Sequence, residues 1–349
     1  MIKLSICMIV KNEANILDEC LSHIQGLADE LIIVDTGSND GTKEIAYRYT
    51  SKVYEYKWCN DFSAARNFSI SKASNDYILV LDADEILVKY DYKNLNQVSM
   101  QDLRVGRMKR INEYSRNGIP YKFIERVGRL FNRNYYQYEG IIHEQLVPKE
   151  DINVAYYDIP LEVVHSGYEG DLESRKIKTN RNITLLFRAL ENNPEDPYLL
   201  YQIGKSYYME EKYNLACEYL SEALTYDLDT KLEYVQDAVE SYGYSLINSN
   251  QYDTAMQLLN IYDEFAHNPD FVFMIAMVLM NHGDFEEAIA EFLKVTKLTG
   301  AKMEGVTSYL AYYNIGVIYE CTEYKNIAKE YYMKAGDYTL AKKRLEVIE

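Results

Sequence analysis

The chain has 349 residues, 48% of them hydrophobic and 26% charged, which is long for one domain and typical of a globular protein. Its net charge of −17 disfavours nonspecific binding to nucleic acids or anionic membranes, which depends on excess Lys and Arg. No apolar run is long enough for a membrane span or a signal peptide. The five cysteines include no CxxC and fit a reducing compartment. We therefore expect a cytoplasmic protein of two domains that binds no nucleic acid.

Apolar strands alternate with helices at the start of the chain. Residues 3–10 predict a buried strand, and a helix follows Lys11-Asn12-Glu13. Residues 30–35 repeat this pattern and end at Asp35, and a loop with two glycines then leads into a helix over 43–49. The glycine spacing is neither GxGxxG nor a Walker loop. The order of elements predicts a nucleotide-binding α/β domain.

A third apolar run, residues 77–81, ends in the sequence Asp82-Ala83-Asp84-Glu85. If the strand continues, its alternation points Asp82 and Asp84 to the same side. Two converging carboxylates repel each other unless a cation lies between them, and oxygen ligands favour Mg²⁺ or Mn²⁺. The alternative is a solvated acidic turn. We expect Glu85 to be a solvated or capping residue rather than a third ligand.

Three further residues are candidates for a site. Asp61 or Ser63 can cap a helix that carries Arg66 near its start, where the side chain either binds a phosphate or a ring or is an ordinary surface arginine. The strand-like residues 163–164 end at His165. His143-Glu144 does not begin a HExxH zinc motif, because position 147 is valine. Between these segments, Asn117-Gly118 predicts a hairpin turn between strands over 110–114 and 121–124.

The C-terminal part of the sequence is repetitive. After a charged helix over 171–192, an alanine recurs at separations of 39, 33 and 40 residues, close to the 34-residue tetratricopeptide unit. Small residues stand twelve positions before each alanine, aromatic residues three before, and large apolar residues four after. These positions are Ala216, Ala255, Ala288 and Ala328; Gly204, Gly243, Ala276 and Gly316; Tyr213, Tyr252, Phe285 and Tyr324; and Leu220, Leu259, Phe292 and Tyr332. The pattern predicts stacked helix pairs.

The strings LSICMIVKNEANILDECL, ELIIVDTGSNDGT, WCNDFSAARNFSI and DYILVLDADE together resemble a family 2 glycosyltransferase with the GT-A fold. More narrowly, the chain resembles bacterial members with C-terminal tetratricopeptide repeats, which include peptide S-glycosyltransferases of glycopeptide bacteriocins and flagellin glycosyltransferases. The resemblance implies an α/β GT-A domain over 1–170, a linker helix over 171–194 and an all-α domain of about four repeats over 195–349.

The resemblance also implies roles for particular residues. Asp84 is the principal ligand of Mn²⁺ or Mg²⁺, Asp82 lies near the metal and the ribose, and His165 is a further contact to the metal or the diphosphate. The other implied nucleotide-binding residues are Val10, Asn12, Glu13, Asp35, Ser38 and Arg66. Two positions depart from the family pattern: Thr36 replaces a frequent second Asp, and Lys11 replaces a frequent Tyr. Neither change removes an implied metal ligand.

The family resemblance implies inverting transfer of a hexose or N-acetylhexosamine, with Glc or GlcNAc the first choices, from a UDP-sugar. Such a transfer needs a base, for which Glu144 is the candidate and Glu139 and Asp158 are the alternatives. The chain has no QxxRW motif, which favours single addition over processive synthesis. The repeats favour a protein or peptide acceptor, and they could also support a homo-oligomer. The alternatives are a surface-glycan or lipid-linked acceptor, and a non-catalytic repeat adaptor with a relic nucleotide domain.

Overall fold

The computed structural model describes residues 3–91, 95, 103–116, 119–165 and 172–348, and for 114–116, 119–120 and 172–176 it describes the backbone alone. The chain forms two compact units, residues 1–189 and 190–349. Within the described ranges, no helix is long and apolar enough to cross a bilayer. The predicted hairpin turn at 117–118 lies outside the described residues.

The N-terminal unit is built on one mixed sheet of eight strands, in the order β3-β2-β1-β4-β7-β6-β10-β5. β1, β2, β3 and β4 run parallel, β7 is antiparallel to β4 and to β6, and β10 runs parallel to β6. A separate hairpin pairs β8 with β9. The strands are β1 Leu4–Val10, β2 Glu30–Asp35, β3 Val53–Glu55, β4 Tyr77–Val80, β5 Glu85–Tyr90, β6 Arg104–Arg116, β7 Ile119–Asn132, β8 Tyr136–Glu139, β9 Gln145–Pro148 and β10 Ala155–His165.

Helices cover both faces of this sheet, which explains why its central strands are continuously apolar. Ile6, Met8 and Val10 of β1 pack into the core on one face together with the helix α1 (Leu17–His23). Cys7 packs on the opposite face, where the helix α3 (Phe62–Ser71) contributes Ile70. The helix α2 (Thr42–Tyr49) also packs against the first core, and α4 (Leu172–Asn192) follows β10.

The strand directions bring distant residues to one edge of the sheet. β1, β2 and β4 end at this edge, and β10 ends there too because it runs in the same direction as β4. β5 starts at the same edge, with Glu85 opposite His165. The carboxyl ends of parallel strands are where open α/β sheets bind ligands. The edge therefore gathers the ends of β1, β2, β4 and β10.

The C-terminal unit consists of stacked helix pairs, as the spacing of alanines predicts. The pairs are α5 Pro197–Met209 with α6 Tyr213–Ala223; α7 Glu233–Asn248 with the broken segment α8 Tyr252–Ala255, 3₁₀ helix Met256–Ile261 and α9 Tyr262–Phe265; α10 Pro269–His282 with α11 Phe285–Val295; and α12 Tyr309–Cys321 with α13 Lys325–Lys334. A last helix, α14 Thr339–Val347, follows.

The small residues allow the helices of this unit to approach each other closely. A Cβ placed on Gly204 would lie 2.6 Å from Leu220, and one on Gly316 would lie 2.6 Å from the ring of Tyr332. Both partners are fully buried. The second pair departs from the register of the others, because its second helix is broken by a 3₁₀ turn. Leu258 is buried, whereas Leu259, which the alignment places at the position of Leu220, is 36% exposed.

Glu240 of α7 makes the stability of this unit depend on pH. Burial, with the nearby charges of Asp270 and Asp237, raises the pKa of Glu240 from 4.5 to about 8. The folded state therefore holds a proton that the unfolded chain releases, and stability falls as pH rises from about 5 to about 8. We expect the free energy of unfolding to fall by up to about 1.4 kcal/mol per pH unit. Urea unfolding of the helical unit, monitored by circular dichroism at several pH values, measures this slope.

The variant Glu240→Gln is expected to remove most of that slope. Its amide still accepts the hydrogen bond that Asn268 Nδ2 donates to Glu240 Oε1 at 2.7 Å. The single tryptophan, Trp58, lies in the other unit, so its fluorescence transition should not change with this substitution. An unchanged slope in Glu240→Gln would assign the pH dependence to other groups.

Candidate functional site

The chain turns sharply where the acidic sequence follows β4. β4 ends at Val80, and the backbone N–H of Glu85 donates to the carbonyl of Asp82 at 3.1 Å as the chain enters β5. The expectation that Asp82 and Asp84 point the same way as alternate residues of a strand is therefore wrong. Asp82 faces two arginines, and Asp84 faces a histidine.

Asp84 and His165 face each other at the sheet edge, with Nε2 of His165 3.4 Å from Oδ2 of Asp84. The other ring nitrogen, Nδ1, lies 2.8 Å from Oδ1 of Asn112. Asn112 Nδ2 donates to Glu125 at 2.5 Å, which fixes the amide so that its oxygen faces the histidine. Nδ1 is therefore placed to donate to Asn112, which leaves Nε2, on the side of Asp84, suited to bind a cation.

This pair fits a divalent cation bound together with a phosphate. Mg²⁺ takes one or two carboxylates and completes its ligands with substrate phosphates and water. Within the described part of the chain, no three metal-ligating side chains converge on one point. Asp84 and His165 would therefore hold the ion with ligands from the donor and the solvent, and the assignment of the metal stays a prediction.

Asp82 is held by two arginines rather than by open solvent. Its Oδ2 accepts from Nη2 of Arg129 at 2.7 Å, and its Oδ1 lies 2.8 Å from Nη1 of Arg66, an ion pair whose N–H is not aligned for a hydrogen bond. Burial alone would raise the pKa of Asp82, but the charges of Arg129 and Arg66 outweigh it and hold that pKa far below its usual range. Asp82 as a metal ligand stays a prediction, since each of its oxygens already faces a guanidinium.

Arg66 connects Asp82 to Glu144. It is the fifth residue of α3, which begins after the cap Asp61, whose Oδ1 accepts from the N–H of Ala64 at 2.9 Å as predicted. Arg66 is 7% exposed, and its Nε donates to Oε1 of Glu144 at 2.5 Å. The alternative of an ordinary surface arginine is wrong. Because two carboxylates already occupy it, Arg66 as a phosphate ligand stays a prediction.

Glu85 is fully buried, so the expectation of a solvated residue is wrong. Its Oε1 accepts from Arg129 at 2.9 Å and from Arg110 at 3.1 Å, and its Oε2 accepts from the N–H of Asp82 at 3.0 Å. The sequence reading missed Arg110 and Arg129, which lie in the long hairpin of β6 and β7. The signal in the sequence was the number of arginines on two strands that pair within a sheet, where buried arginines need acidic partners.

The loops after β1 and β2 interlock at the same edge. Asn12, with a left-handed φ of 56°, donates its N–H to Ser38 Oγ at 2.9 Å, and its Oδ1 accepts from Asn39. Val10 accepts both the N–H and the hydroxyl of Thr36. The predicted nucleotide-binding residues Val10, Asn12 and Ser38 are thus brought together.

Asp35 has one oxygen without a protein partner. Its Oδ1 accepts from the N–H groups of Gly37 and Ser38 at 3.0 and 2.9 Å. Its Oδ2 is buried and, among the described residues, accepts no hydrogen bond. An unpaired buried carboxylate oxygen is costly, so this atom is available to accept an N–H from a ligand.

Glu13 lies near the acidic turn. Burial raises its pKa, the positive charge of Lys178 opposes that shift, and the negative charges of Asp84, Asp40 and Asp82 add to it. The contribution of Glu13 to nucleotide binding stays a prediction.

Glu144 lies in the bend between β8 and β9. β8 ends at Glu139, and Gly140 takes a left-handed φ of 98°, so residues 140–142 do not continue the strand toward Glu144. The Glu144 side chain is 11% exposed, and Arg66 bridges it to Asp82.

The two alternative candidates for the base lie in different surroundings. Asp158 pairs with Arg107 and lies seven residues before the end of β10, roughly 20 Å from His165 along the strand. Glu139 accepts from Gln137 at an exposed position.

The two units match different family models. Residues 5–142 match the model of glycosyl transferase family 2, and residues 269–301 and 309–335 match that of the tetratricopeptide repeat. The N-terminal unit therefore carries a family 2 glycosyltransferase domain, and the C-terminal unit carries tetratricopeptide repeats. The predicted combination of an α/β transferase domain with helical repeats is confirmed.

Two curated proteins are similar over most of this chain. A TPR repeat-containing protein of Synechococcus elongatus is 33% identical over 232 residues, covering 64% of this chain and 57% of that protein. The prophage-derived glycosyltransferase SunS of Bacillus subtilis is 30% identical over 226 residues, covering 62% of this chain and 52% of SunS. The chain spans about half the length of these relatives. A solved structure, the TPR protein YrrB, matches with a TM-score of 0.41 and 24% identity, over 50% of this chain and 88% of YrrB.

Proposed function

We propose that the protein is a metal-dependent, inverting glycosyltransferase that moves a hexose or N-acetylhexosamine, first of all Glc or GlcNAc, from a UDP-sugar to a protein or peptide side chain. The observation that carries the proposal is the pair Asp84 and His165 at the carboxyl edge of a family 2 domain. The neighbouring acidic turn and interlocked loops support a nucleotide beside it.

The open oxygen of Asp35 supports a uridine donor. Uracil presents an imide N–H, which a buried carboxylate oxygen can accept, whereas the corresponding ring nitrogen of cytosine is itself an acceptor. Oδ2 of Asp35 is such an oxygen, while Oδ1 is held by the loop backbone. The hydrogen bond from the Asn12 N–H to Ser38 Oγ ties the loop that follows Asp35 to the loop after β1.

The chain's own residues account for the transfer step. The acceptor heteroatom attacks the anomeric carbon as the bond to the diphosphate oxygen breaks, and the electron pair of that bond leaves with the diphosphate. Glu144 takes the acceptor's proton, and Arg66 holds its Oε1 in place. A divalent ion held by Asp84 and His165 would neutralise charge on the leaving diphosphate.

The acceptor is proposed from the repeats. Tetratricopeptide units stack into extended surfaces that bind peptides, and such a unit follows the transferase domain here. A peptide or protein side chain is therefore favoured over a glycan or lipid-linked sugar.

A donor panel tests this function. The full-length protein with Mn²⁺ is expected to show a higher unfolding temperature with UDP-Glc or UDP-GlcNAc than with GDP- or CDP-sugars; ligand at about 100 times its Kd stabilises the folded state by about 2.7 kcal/mol. Slow release of UDP should accompany binding and should need the divalent ion. Absence of any UDP-sugar effect, or UDP release that is equally fast with EDTA, would show the proposal to be wrong.

A further inference from the structure

The helix α4 carries two cations on one side, next to the candidate site. Lys178 and Arg181 are three residues apart, so their side chains project from neighbouring positions on the helix surface. A charged helix face is usually only solvated. Here Arg181 contacts the start of α3, and the charge of Lys178 acts on Glu13 in the loop after β1.

Arg181 lies against the start of α3. Its guanidinium carbon is 5.3 Å from the ring centroid of Phe62, the first residue of that helix. Arg66 follows Phe62 by four residues on the same face, one helical turn or roughly 5.4 Å away. Arg181 therefore lies one turn of α3 from Arg66, which contacts Asp82 and Glu144.

Arg181 also has no acidic partner in the described structure. Its guanidinium donates to Oδ1 of Asn182 at 3.2 and 2.9 Å, and no described carboxylate lies within ion-pair distance. Although the residue is exposed by accessible area, neighbouring groups desolvate the guanidinium and lower the pKa of Arg181. A partly desolvated cation without a carboxylate is suited to an anionic ligand.

Lys178 lies one helical turn before Arg181 on α4. Its positive charge acts on the carboxyl group of Glu13, on which the charges of Asp84 and Asp82 also act. Arg181 thus contacts the start of α3, and the charge of its neighbour Lys178 acts on Glu13 in the loop after β1.

The charge balance of the site shows why these cations matter. Arg66 faces Asp82 and Glu144, and Arg129 faces Asp82 and Glu85, so the buried arginines are already neutralised. The acidic groups around Asp84 would repel a diphosphate. Lys178 and Arg181 of α4 add positive charge that is not among the ion pairs of the acidic turn.

We propose that Lys178 and Arg181 form a diphosphate clamp, which binds the phosphates of the nucleotide donor and stabilises them as the diphosphate leaves. Arg181 offers a planar pair of N–H donors to phosphate oxygens, and Lys178 offers a compact charge. The clamp rests on the proposed function, since it assumes a nucleoside diphosphate at this edge.

Calorimetric binding of UDP and UMP to the full-length protein with Mn²⁺ tests the clamp. Arg181→Gln and Lys178→Gln are each expected to weaken UDP binding by about tenfold to a hundredfold, the range for hydrogen bonds to charged groups, and to affect UMP much less. Arg181→Lys should bind UDP with intermediate affinity. Arg188→Gln removes a cation two turns further along the same helix and should bind UDP like the unmodified protein.

The possible outcomes separate the two proposals. If the unmodified protein binds UDP and both glutamine variants bind it equally well, the clamp is wrong and the proposed function stands. If the unmodified protein binds no nucleoside diphosphate, both are wrong. If Arg188→Gln lost as much UDP affinity as the other variants, the loss would reflect the net charge of the helix rather than contacts of Lys178 and Arg181, which would also contradict the clamp. Trp58 fluorescence in urea should show the same unfolding midpoint for all variants.

Discussion

Asp84→Ala is expected to lower kcat/KM for Mn²⁺-dependent turnover of the UDP-sugar by about 10³-fold. The carboxylate faces His165 at 3.4 Å across the gap in which a cation would bind, and loss of a divalent ion removes several kcal/mol of stabilisation from the departing diphosphate. The measurement is UDP release over a Mn²⁺ titration, combined with direct Mn²⁺ binding by electron paramagnetic resonance. Both signals are expected to fall together.

A matched control lies at the other end of the same strand. Asp76 directly precedes β4, its side chain is 60% exposed, and its contact with Arg133 is long at 3.9 Å. Asp76→Ala should leave kcat/KM and Mn²⁺ binding unchanged. If Asp84→Ala bound Mn²⁺ as tightly as Asp76→Ala, the metal site would have to be placed elsewhere.

The first strands of the fold could be predicted because their signals are local. An apolar run that ends in an acid has the same meaning wherever it lies, and residues 30–35 form β2 with the predicted bounds. Parallel strands then force their carboxyl ends to one edge, so the convergence of Asp35 with the acidic turn follows from the pattern. Asp61 as a helix cap is equally local.

The ion network could not be predicted, because its partners lie far apart in the chain. Arg66 and Glu144 are 78 positions apart, and Arg129 and Asp82 are 47 apart. A sequence pattern gives the period of a strand but not which side chains meet across a sheet of mixed direction. The hairpin that supplies Arg110 and Arg129 also has a weak apolar alternation, so its register was open.

Glu85 shows the limit most clearly. In sequence it is the third acid of an exposed-looking cluster, whereas in the fold it begins β5 and is covered completely. The reason is that the chain reverses at residues 82–85, which turns Glu85 inward toward two arginines that the local sequence does not contain. Burial of a carboxylate is tolerated here only because those arginines neutralise it.

Glu85→Ala is therefore expected to destabilise the N-terminal unit by about 3–5 kcal/mol, the cost of breaking a buried ion pair from one side. The substitution leaves Arg129, itself 6% exposed, and Arg110 with less negative charge, and it removes the acceptor of the Asp82 N–H. Urea unfolding followed by the fluorescence of Trp58 measures this, because the only tryptophan lies in this unit.

Glu162 of β10 is the matched control, since it also meets two cations within the same sheet. Its partners Lys89 and Lys109 lie at 2.8 and 3.2 Å, but its side chain is 23% exposed and that of Lys89 is 73% exposed. Solvent-screened pairs contribute about 0–1 kcal/mol, so Glu162→Ala should shift the Trp58 transition little. The two glutamates differ mainly in burial. If both variants lost equally little free energy of unfolding, the arginines around Glu85 would have other partners in the variant, and the acidic turn would not depend on Glu85 for its shape.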